Sequence, residues 1–295
     1  MTTSFTVKNL RFTFILANNA VFAGTNSNTL KVSGLKASVS IKGSGLPAFP
    51  EASITVYGML LSDMIALNAL AFQPLAMQRN TVIVEADSGQ GFTTVFSGQI
   101  ITGGPNFQDI PATKLTISAR ILGFESLNPA TPTSYTGTVA VSEIVASIAS
   151  KIGYVLEDNG VTAQLSNSYF AGTLVDQLRA VAKHAGIDVY TENNVIAICP
   201  KGVPRNQPTW VLSPTSGLAG YPVLDYNRGY VNVKALFNPA FRFGGPITVQ
   251  GSIVPTANGS WVIGAITHTL ETITNNGQWF SQMLLYPPGT LPPVS

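Results

Sequence analysis

Charged side chains are scarce in this sequence. Of its 295 residues, 10% are Asp, Glu, Lys or Arg and 45% are hydrophobic, whereas about a quarter of the residues in typical soluble domains are charged. An ordinary monomer keeps its surface wetted by charge, so this chain is expected to cover much of its surface against other chains, as obligate oligomers do. The net charge of +2 is too small to indicate a nucleic-acid-binding surface.

The chain also lacks a second cysteine. Cys199 is the only one, which excludes an intrachain disulfide and fits folding in a reducing cytoplasm. There are two histidines, His184 and His268, and neither forms a ligand spacing such as C-x-x-C or H-x-x-x-H. We therefore expect no metal site and no cofactor.

Long apolar runs are missing as well. The most apolar long stretch, residues 58–77, is interrupted by Asp63, Asn68, Gln73 and Pro74, and a membrane-spanning helix needs about 18 uninterrupted apolar residues. The first twelve residues have no basic region followed by an apolar core. Neither stable membrane insertion nor a signal peptide is expected.

Short segments rich in Val, Ile, Thr and Phe, separated by Gly, Pro and Asn, fill most of the chain and predict antiparallel strands. In residues 35–42, apolar and polar side chains alternate with a period of two, so that one face packs and the other is wet. A short helix is predicted at 59–72. Strands are predicted at 5–16, 35–42, 52–58, 80–86, 94–102, 113–122, 230–236, 247–253, 261–270 and 279–286.

A different pattern begins near residue 137. Apolar residues at helical spacing run from Val141 to Ile152 and stop at Gly153, a typical helix C-cap. A second helix is predicted at 173–185, where Thr173 and Asp176 resemble a capping box. A hairpin follows, with strands at 187–190 and 195–199.

The sequence therefore predicts a mainly β fold with an α/β insertion. We expect a first β-barrel domain at 1–136, an α/β module at 137–204, and a second β-barrel domain with a proline-rich tail at 205–295.

The two β regions share a local pattern. Residues 95–100 (VFSGQI) and 261–266 (WVIGAI) both place a glycine in mid-strand and an isoleucine two positions later. Gly98 and Gly264 are 166 positions apart (264 − 98). Any two antiparallel sheets can echo each other in this way. The alternative is a duplicated barrel, in which a mid-strand glycine marks a bend or a close backbone approach.

Catalytic motifs are few. No G-x-S-x-G elbow occurs, and no G-K-[ST] follows either Gly-Gly pair. Four carboxylates cluster along the α/β region and are expected to be helix caps and solvated faces, although a cell-wall-degrading enzyme would use such a pair: Glu143, Glu157, Asp158 and Asp176. Seven basic residues could face a DNA-carrying lumen or be ordinary exposed strand residues: Lys31, Lys36, Lys42, Arg205, Arg228, Lys234 and Arg242.

The tryptophans leave a third function open. Trp210, Trp261 and Trp279 could serve a carbohydrate-binding β module if they were exposed, although tryptophans in strands are more often core residues.

Five segments together resemble the baseplate hub family of contractile phage tails, the late-control-protein-D-like group that includes the Mu-type hub. They cover most of the chain in order, and their motifs are packing signatures rather than catalytic ones. The loop at 17–29 and the helix near residue 60 fit less well. The matching segments are residues 95–103, 141–154, 172–202, 228–251 and 259–285.

This resemblance implies a structural, non-enzymatic protein of the virion baseplate, made in the host cytoplasm. It implies a homotrimer with two similar barrels per chain, so that three chains supply six barrels to match a hexameric tail tube. The implied partners are the tail tube protein, the central spike protein and other baseplate proteins, and DNA would pass transiently through the lumen. It implies no catalytic, cofactor-binding or metal residues, and a structural role for His268.

Overall fold

The computed structural model describes residues 8–43, 45–46, 48–68, 79–108 and 112–290. The chain divides into two compact units. The first consists of Met1–Ile41, Glu51–Leu127 and Thr269–Trp279, and the second of Lys42–Pro50, Asn128–His268 and Phe280–Ser295.

Seven strands form the sheet of the first unit, and a short helix, α1 (Leu61–Ala66), lies between the fourth and fifth along the chain. The strands are β1 (Asn9–Ile15), β2 (Thr29–Ser33), β3 (Ala37–Gly43), β4 (Glu51–Tyr57), β5 (Thr81–Asp87), β6 (Thr93–Asn106) and β7 (Lys114–Arg120). Their spatial order is β3-β4-β7-β6-β5-β1-β2.

Alternation with a period of two builds the core of this sheet. In β4 the residues Ala52, Ile54 and Val56 point inward and are buried, and the residues between them point outward. The register with β7 places Ile54 opposite Ile117 and Val56 opposite Leu115, which are buried too. Each cross-strand pair therefore adds a matched apolar contact to the core.

The α/β module lies in the second unit. Its elements are β8 (Thr133–Ser134), β9 (Thr138–Ala140), α2 (Val141–Ile152), β10 (Val155–Asp158), β11 (Gln164–Ser166), β12 (Tyr169–Phe170), α3 (Leu174–Ala185), β13 (Ile187–Glu192) and β14 (Val195–Pro200). The three-stranded sheet has the order β10-β14-β13, with β10 parallel to β14. The pairs β9–β11 and β8–β12 are short antiparallel ladders.

The two module helices begin and end as their sequences predict. Thr173 and Asp176 form a reciprocal capping box, with the Asp176 amide 3.0 Å from the Thr173 hydroxyl oxygen. Gly153 ends α2 at φ +73° and Gly186 ends α3 at φ +61°, a left-handed conformation that glycine adopts without strain. Both helices bury their apolar stripes in one cluster with strands β13 and β14.

Six further strands lie mainly in the second unit, and we call this set the second sheet. They are β15 (Trp210–Leu212), β16 (Val223–Asp225), β17 (Tyr230–Leu236), β18 (Pro246–Val249), β19 (Gly259–Thr272) and β20 (Trp279–Tyr286). The order is β16-β17-β20-β19-β18-β15. The last four residues of β19, and Trp279, belong to the first unit.

The second sheet repeats the connectivity of the first. Strands β15 to β20 take the same places as β1, β3, β4, β5, β6 and β7, and β2 is an addition to the first sheet. The counterparts β6 and β19 are both 14 residues long, and Gly98 and Gly264 are the sixth residue of each. One pairing differs, because β15 is parallel to β18 whereas β1 is antiparallel to β5. The shared order supports the duplication rather than a chance echo.

The predicted class, mainly β with an α/β insertion, is confirmed. Strands 230–236 and 279–286 have the predicted limits, and the helix predicted at 59–72 is shorter, Leu61–Ala66, with residues 69–72 outside the described part of the chain. Residues 5–7 of the first predicted strand lie outside it as well. Domain limits at 136 and 204, and closure of each sheet into a barrel, stay predictions. Across the described ranges, no helix combines the length and hydropathy needed to cross a membrane.

Candidate assembly interface

A buried arginine ties the α/β module to the second sheet. The Arg205 side chain is 1% exposed and donates two hydrogen bonds to Glu157 of β10, from Nε at 2.9 Å and Nη2 at 2.7 Å. Its Nη1 donates to Glu192 of β13 at 2.8 Å and to the Phe243 carbonyl at 3.3 Å. This fork geometry suits a guanidinium and would not be reproduced by lysine.

The ion pairs of Arg205 shift the pKa values of Glu157 and of Arg205 itself in the directions that keep both charged. The hydrogen bonds from Arg205 hold the pKa of Glu157 below its usual range, although burial opposes this. Burial alone would lower the pKa of Arg205, but the two carboxylates outweigh it and the pKa is raised. Arg205 is therefore a structural cation, and the possibility that it faces a lumen or solvent is wrong.

The residues around Arg205 are also tightly packed. The Tyr190 ring packs edge-on against Phe243, with centroids 4.8 Å apart, and burial raises the Tyr190 pKa. Gly244 has φ +76°, and a Cβ there would come 2.5 Å from the Tyr190 ring, so glycine is required. Burial raises the pKa of the Cys199 thiol to about 12, which leaves it unreactive at neutral pH.

The two histidines occupy separate places in the second unit. His268 is buried on β19, with Nδ1 2.8 Å from the Ser281 hydroxyl and its ring edge-on to Phe237. Burial lowers its pKa to about 4. His184, in the last turn of α3, has its ring centroid 5.9 Å from that of Phe170. Among the described residues, no three His, Cys, Asp or Glu side chains are grouped so as to hold a metal ion.

Most of the predicted carboxylate cluster has local partners. Asp176 caps α3, Asp158 accepts hydrogen bonds from the amides of Gly160 and Val161, and Glu157 holds Arg205. Glu143 lies in the first turn of α2, where a negative charge interacts favourably with the helix dipole. Glu143 and Asp176 therefore lie at helix starts as predicted, whereas Glu157 and Asp158 lie on strand β10, so the prediction of a helix cap or helix face is wrong for these two.

Two of the three tryptophans are anchored by their indole nitrogens. Trp279 is buried and donates to the Ser88 hydroxyl at 2.9 Å, and Trp261 donates to the Ala257 carbonyl at 2.9 Å while packing on the core of the second sheet. Trp210, edge-on to Phe241, is 40% exposed. An aromatic platform of three exposed tryptophans is therefore not formed.

The remaining basic candidates are exposed. Two of them cover aromatic rings on strand faces: Lys36 Nζ is 5.1 Å from the centroid of Tyr57, and Lys234 Nζ is 4.2 Å from that of Phe280. The exposed set is Lys31, Lys36, Lys42, Arg228, Lys234 and Arg242.

The outer face of the first sheet carries short hydroxyl side chains. Ser53 lies opposite Ser118 and Thr55 opposite Thr116 in the β4–β7 register, and Thr102 of β6 continues the Ser118 row. An exposed ion pair between Glu51 and Arg120 closes one end of this face. We call this outer face of the first sheet the hydroxyl face.

The corresponding face of the second sheet carries larger side chains, three of them apolar. Across β17 and β20, Asn232 lies opposite Leu284, Lys234 opposite Gln282, and Leu236 opposite Phe280. Leu236 is exposed. This mixed face thus differs from the hydroxyl face in having three large apolar side chains, Leu236, Phe280 and Leu284.

Strand β16 is an apolar sheet edge. Among the described strands, β17 is its one neighbour. Val223 is 64% exposed, and the residues Tyr221 and Tyr226 beside the strand are 70% and 82% exposed. An open sheet edge can pair with a strand of another chain, but β16 is only three residues long, contains Asp225 and follows Pro222, and these features limit such pairing. Sequence analysis did not single out this segment, whose pattern YPVLDY has one charged residue, one proline, two aliphatic residues and two tyrosines.

The chain resembles known proteins in sequence and in fold. The family model described as Baseplate hub gp41 matches residues 10–281, most of the chain. No protein of curated function matches the chain in sequence.

Solved structures share the fold at low identity. The tail protein from Neisseria meningitidis MC58 has a TM-score of 0.62 at 11% identity, covering 95% of this chain and 97% of that one. The 43 kDa tail protein of prophage MuSo2 from Shewanella oneidensis has a TM-score of 0.60 at 10% identity, covering 94% and 97%. The E. coli c3393 protein, a type VI secretion system component described as structurally similar to T4 bacteriophage tail proteins gp27 and gp5, has a TM-score of 0.60 at 11% identity, covering 85% and 73%.

Proposed function

The chain belongs to the baseplate hub gp41 family, and from this premise we propose that three copies close into a ring that joins a hexameric tail tube to a central spike. The chain is a structural component of a phage tail baseplate. The ring would convert six-fold into three-fold symmetry and leave a channel through which DNA passes.

One observation carries this proposal. Each chain contains two sheets with the same six-strand order and with matching 14-residue strands. Three chains supply six such sheets, the number that a six-fold tube presents. The scarcity of charge and the exposed apolar edge at β16 are what a closed ring of head-to-tail contacts requires.

The test is the mass and the partner of the purified chain. We expect light scattering to give three times the mass of one chain, and electron microscopy to show the rings capping one end of purified tail tubes. A chain that stays monomeric at high concentration and ignores tubes would contradict the proposal.

We further propose that the chain has no enzymatic activity of its own. Glu157 is held by Arg205, and a carboxylate with a lowered pKa is a poor general acid. Zymography on cell walls should give no clearing. A clearing zone that disappears on Glu143→Gln or Glu157→Gln would contradict this part and favour the cell-wall enzyme.

A further inference from the structure

Asparagine followed directly by glycine occurs three times in the chain, at Asn159, Asn258 and Asn276. This pair of residues is chemically labile, because glycine has no Cβ to keep its backbone nitrogen away from the carboxamide carbon of the preceding asparagine. The three pairs share that chemistry. Their surroundings therefore decide which of them reacts while the chain is folded.

Asn159 is held by hydrogen bonds at both ends of its carboxamide. Its Nδ2 donates to the Ile198 carbonyl at 3.1 Å, and its Oδ1 accepts from the Asn206 amide at 2.8 Å. The nitrogen of Gly160, which would have to attack the carboxamide, donates to Asp158 Oδ1 at 3.0 Å. Reaction at Asn159 therefore requires several hydrogen bonds to be broken at the same time.

Asn258 is fixed in a similar way. Its Oδ1 accepts from the Ser252 amide at 2.9 Å, and its Nδ2 donates to the Ser252 carbonyl at 3.0 Å. The next residue, Gly259, is the first of β19 and lies opposite Val249 of β18. The Asn258 side chain cannot turn toward the Gly259 nitrogen without losing both of its hydrogen bonds to Ser252.

Asn276 lies in the turn between β19 and β20 and is exposed. Among the described residues its side chain has no hydrogen-bond partner, and its backbone adopts φ +54°. The Gly277 nitrogen donates to the Thr274 carbonyl at 3.0 Å, so one hydrogen bond of the turn must open before that nitrogen can attack. Exposed turns open at a low cost in free energy compared with buried structure. Asn276 is therefore the least restrained of the three asparagines.

We propose that Asn276 is a site of spontaneous deamidation in the folded chain. The Gly277 nitrogen attacks Cγ of Asn276, and the new C–N bond closes a succinimide ring. The Cγ–Nδ2 bond breaks, and ammonia leaves with the proton that the Gly277 nitrogen loses. Water then opens the ring at either carbonyl and gives aspartate or isoaspartate. No residue from 272 to 278 is charged, so the reaction adds a carboxylate to a turn that has none.

Peptide mapping of the purified full-length chain tests this assignment. The chain is kept folded in mildly alkaline buffer, sampled over time and cleaved after glutamate, which places the three asparagines on separate peptides. Tandem mass spectrometry then locates each amide that has become a carboxyl. We expect Asn276 to convert more than about tenfold faster than Asn159 or Asn258, because at least two hydrogen bonds hold each of the other side chains.

The same chain in concentrated guanidinium chloride is the matched control, because unfolding removes the surroundings and leaves the three Asn-Gly pairs. All three should convert at similar rates there. The variant Asn276→Gly loses the carboxamide but tolerates positive φ, so it should unfold at the same denaturant concentration and lack the early product.

Two results would overturn the assignment. One is a folded chain in which Asn159 or Asn258 converts as fast as Asn276. The other is a folded chain in which Asn276 stays intact over a period that converts it in the unfolded chain. Conversion of Asn276 alone in the folded chain, with no early product in Asn276→Gly, supports it.

Discussion

The two sheets have the same strand order and closely similar inner faces, yet their outer faces differ. Inward residues of β4 and β7 form a buried apolar layer, and so do those of β17 and β20 apart from Ser281, which contacts His268. Outside, the first sheet presents the hydroxyl face, whereas the second presents Leu236, Phe280 and Leu284. The first sheet also carries an exposed ion pair, Glu51–Arg120, whereas the pairs that Arg205 makes in the second unit are buried at the arginine.

The difference indicates which properties the duplication constrains. Strand order and inward packing are shared because both sheets must bury one face to fold. Outer residues contribute little to folding, so the outer faces of the two sheets can differ without loss of the fold. Stability should therefore depend on what is buried in each copy, while assembly should depend on what differs between them.

The largest expected effect concerns the buried ion pairs. Arg205→Met leaves two carboxylates and a carbonyl without their donor, and should lower the free energy of unfolding by about 3–5 kcal/mol. Arg120→Met removes only the exposed pair with Glu51 and should cost less than about 1 kcal/mol. Urea unfolding of both variants makes the comparison. Equal losses would show that Arg205 does not hold the module to the sheet.

The two sheets should also differ in how their stability depends on pH. His268 stands four residues after Gly264 (264 to 268), where the first copy has Thr102 four residues after Gly98 (98 to 102). Burial lowers the His268 pKa from 6.5 to about 4, so the folded chain binds this proton less readily than the unfolded chain. The contribution of His268 to the free energy of unfolding is therefore fully present above pH 6.5. It is lost progressively as the pH falls to about 4, and the loss reaches up to about 3 kcal/mol.

Thermal unfolding between pH 8 and pH 4 (about the range in which histidine titrates) measures that loss. His268→Gln should remove this part of the pH dependence, and the control His184→Gln should retain it. An unchanged pH profile in His268→Gln would assign acid sensitivity to other groups.

The strand glycines should give a smaller difference. Alanine at Gly98 would place Cβ 2.6 Å from the Phe96 ring and 3.0 Å from the Arg120 carbonyl, which is backbone and cannot move aside. Alanine at Gly264 would place Cβ 2.2 Å from the ring of the buried Tyr286. We expect losses of about 2–3 kcal/mol for Gly98→Ala and for Gly264→Ala, so that the two variants differ little.

Truncating the obstructing ring provides the check. Gly264→Ala combined with Tyr286→Leu should be less destabilised than the sum of the single variants, as measured by urea unfolding. Simple additivity would show that the close approach is not the reason for glycine at this position.

The smallest effect is expected on the outer faces. Ser118→Leu on the hydroxyl face and Leu236→Ser on the second sheet should each change the free energy of unfolding by no more than about 0.5 kcal/mol. Ile117→Ser, one residue from Ser118 but facing inward, should cost more than about 3 kcal/mol in the same urea measurement. A large loss from Ser118→Leu would contradict the division between inner and outer roles.

Local sequence signals predicted much of this fold. The capping box at Thr173, the glycines after both module helices and the apolar alternation of β3 and β4 act over a few residues, where propensity and periodicity are informative. The turn between β13 and β14 was predictable too, because Asn is favoured where both central residues of a hairpin turn have positive φ. Asn193 and Asn194 adopt such angles, 45° and 65°.

Features that depend on distant partners were not predictable. Arg205 lies in a proline-rich connection, and nothing near it in sequence shows that Glu157, 48 residues earlier, will bury its charge. The parallel pairing of β15 with β18 joins short apolar runs that could have paired in either direction. The exposure of the β16 edge depends on which strands are absent beside it, and no local pattern records an absent neighbour.

Strands β6 and β19 each extend over 14 residues, or roughly 45 Å at about 3.3 Å per residue. Tension applied along such a strand is carried by covalent bonds through its whole length. Its neighbours can detach only by sliding, which breaks a row of hydrogen bonds together rather than one after another. Because β19 contributes residues to both units, a pull on one unit reaches the other along an unbroken backbone.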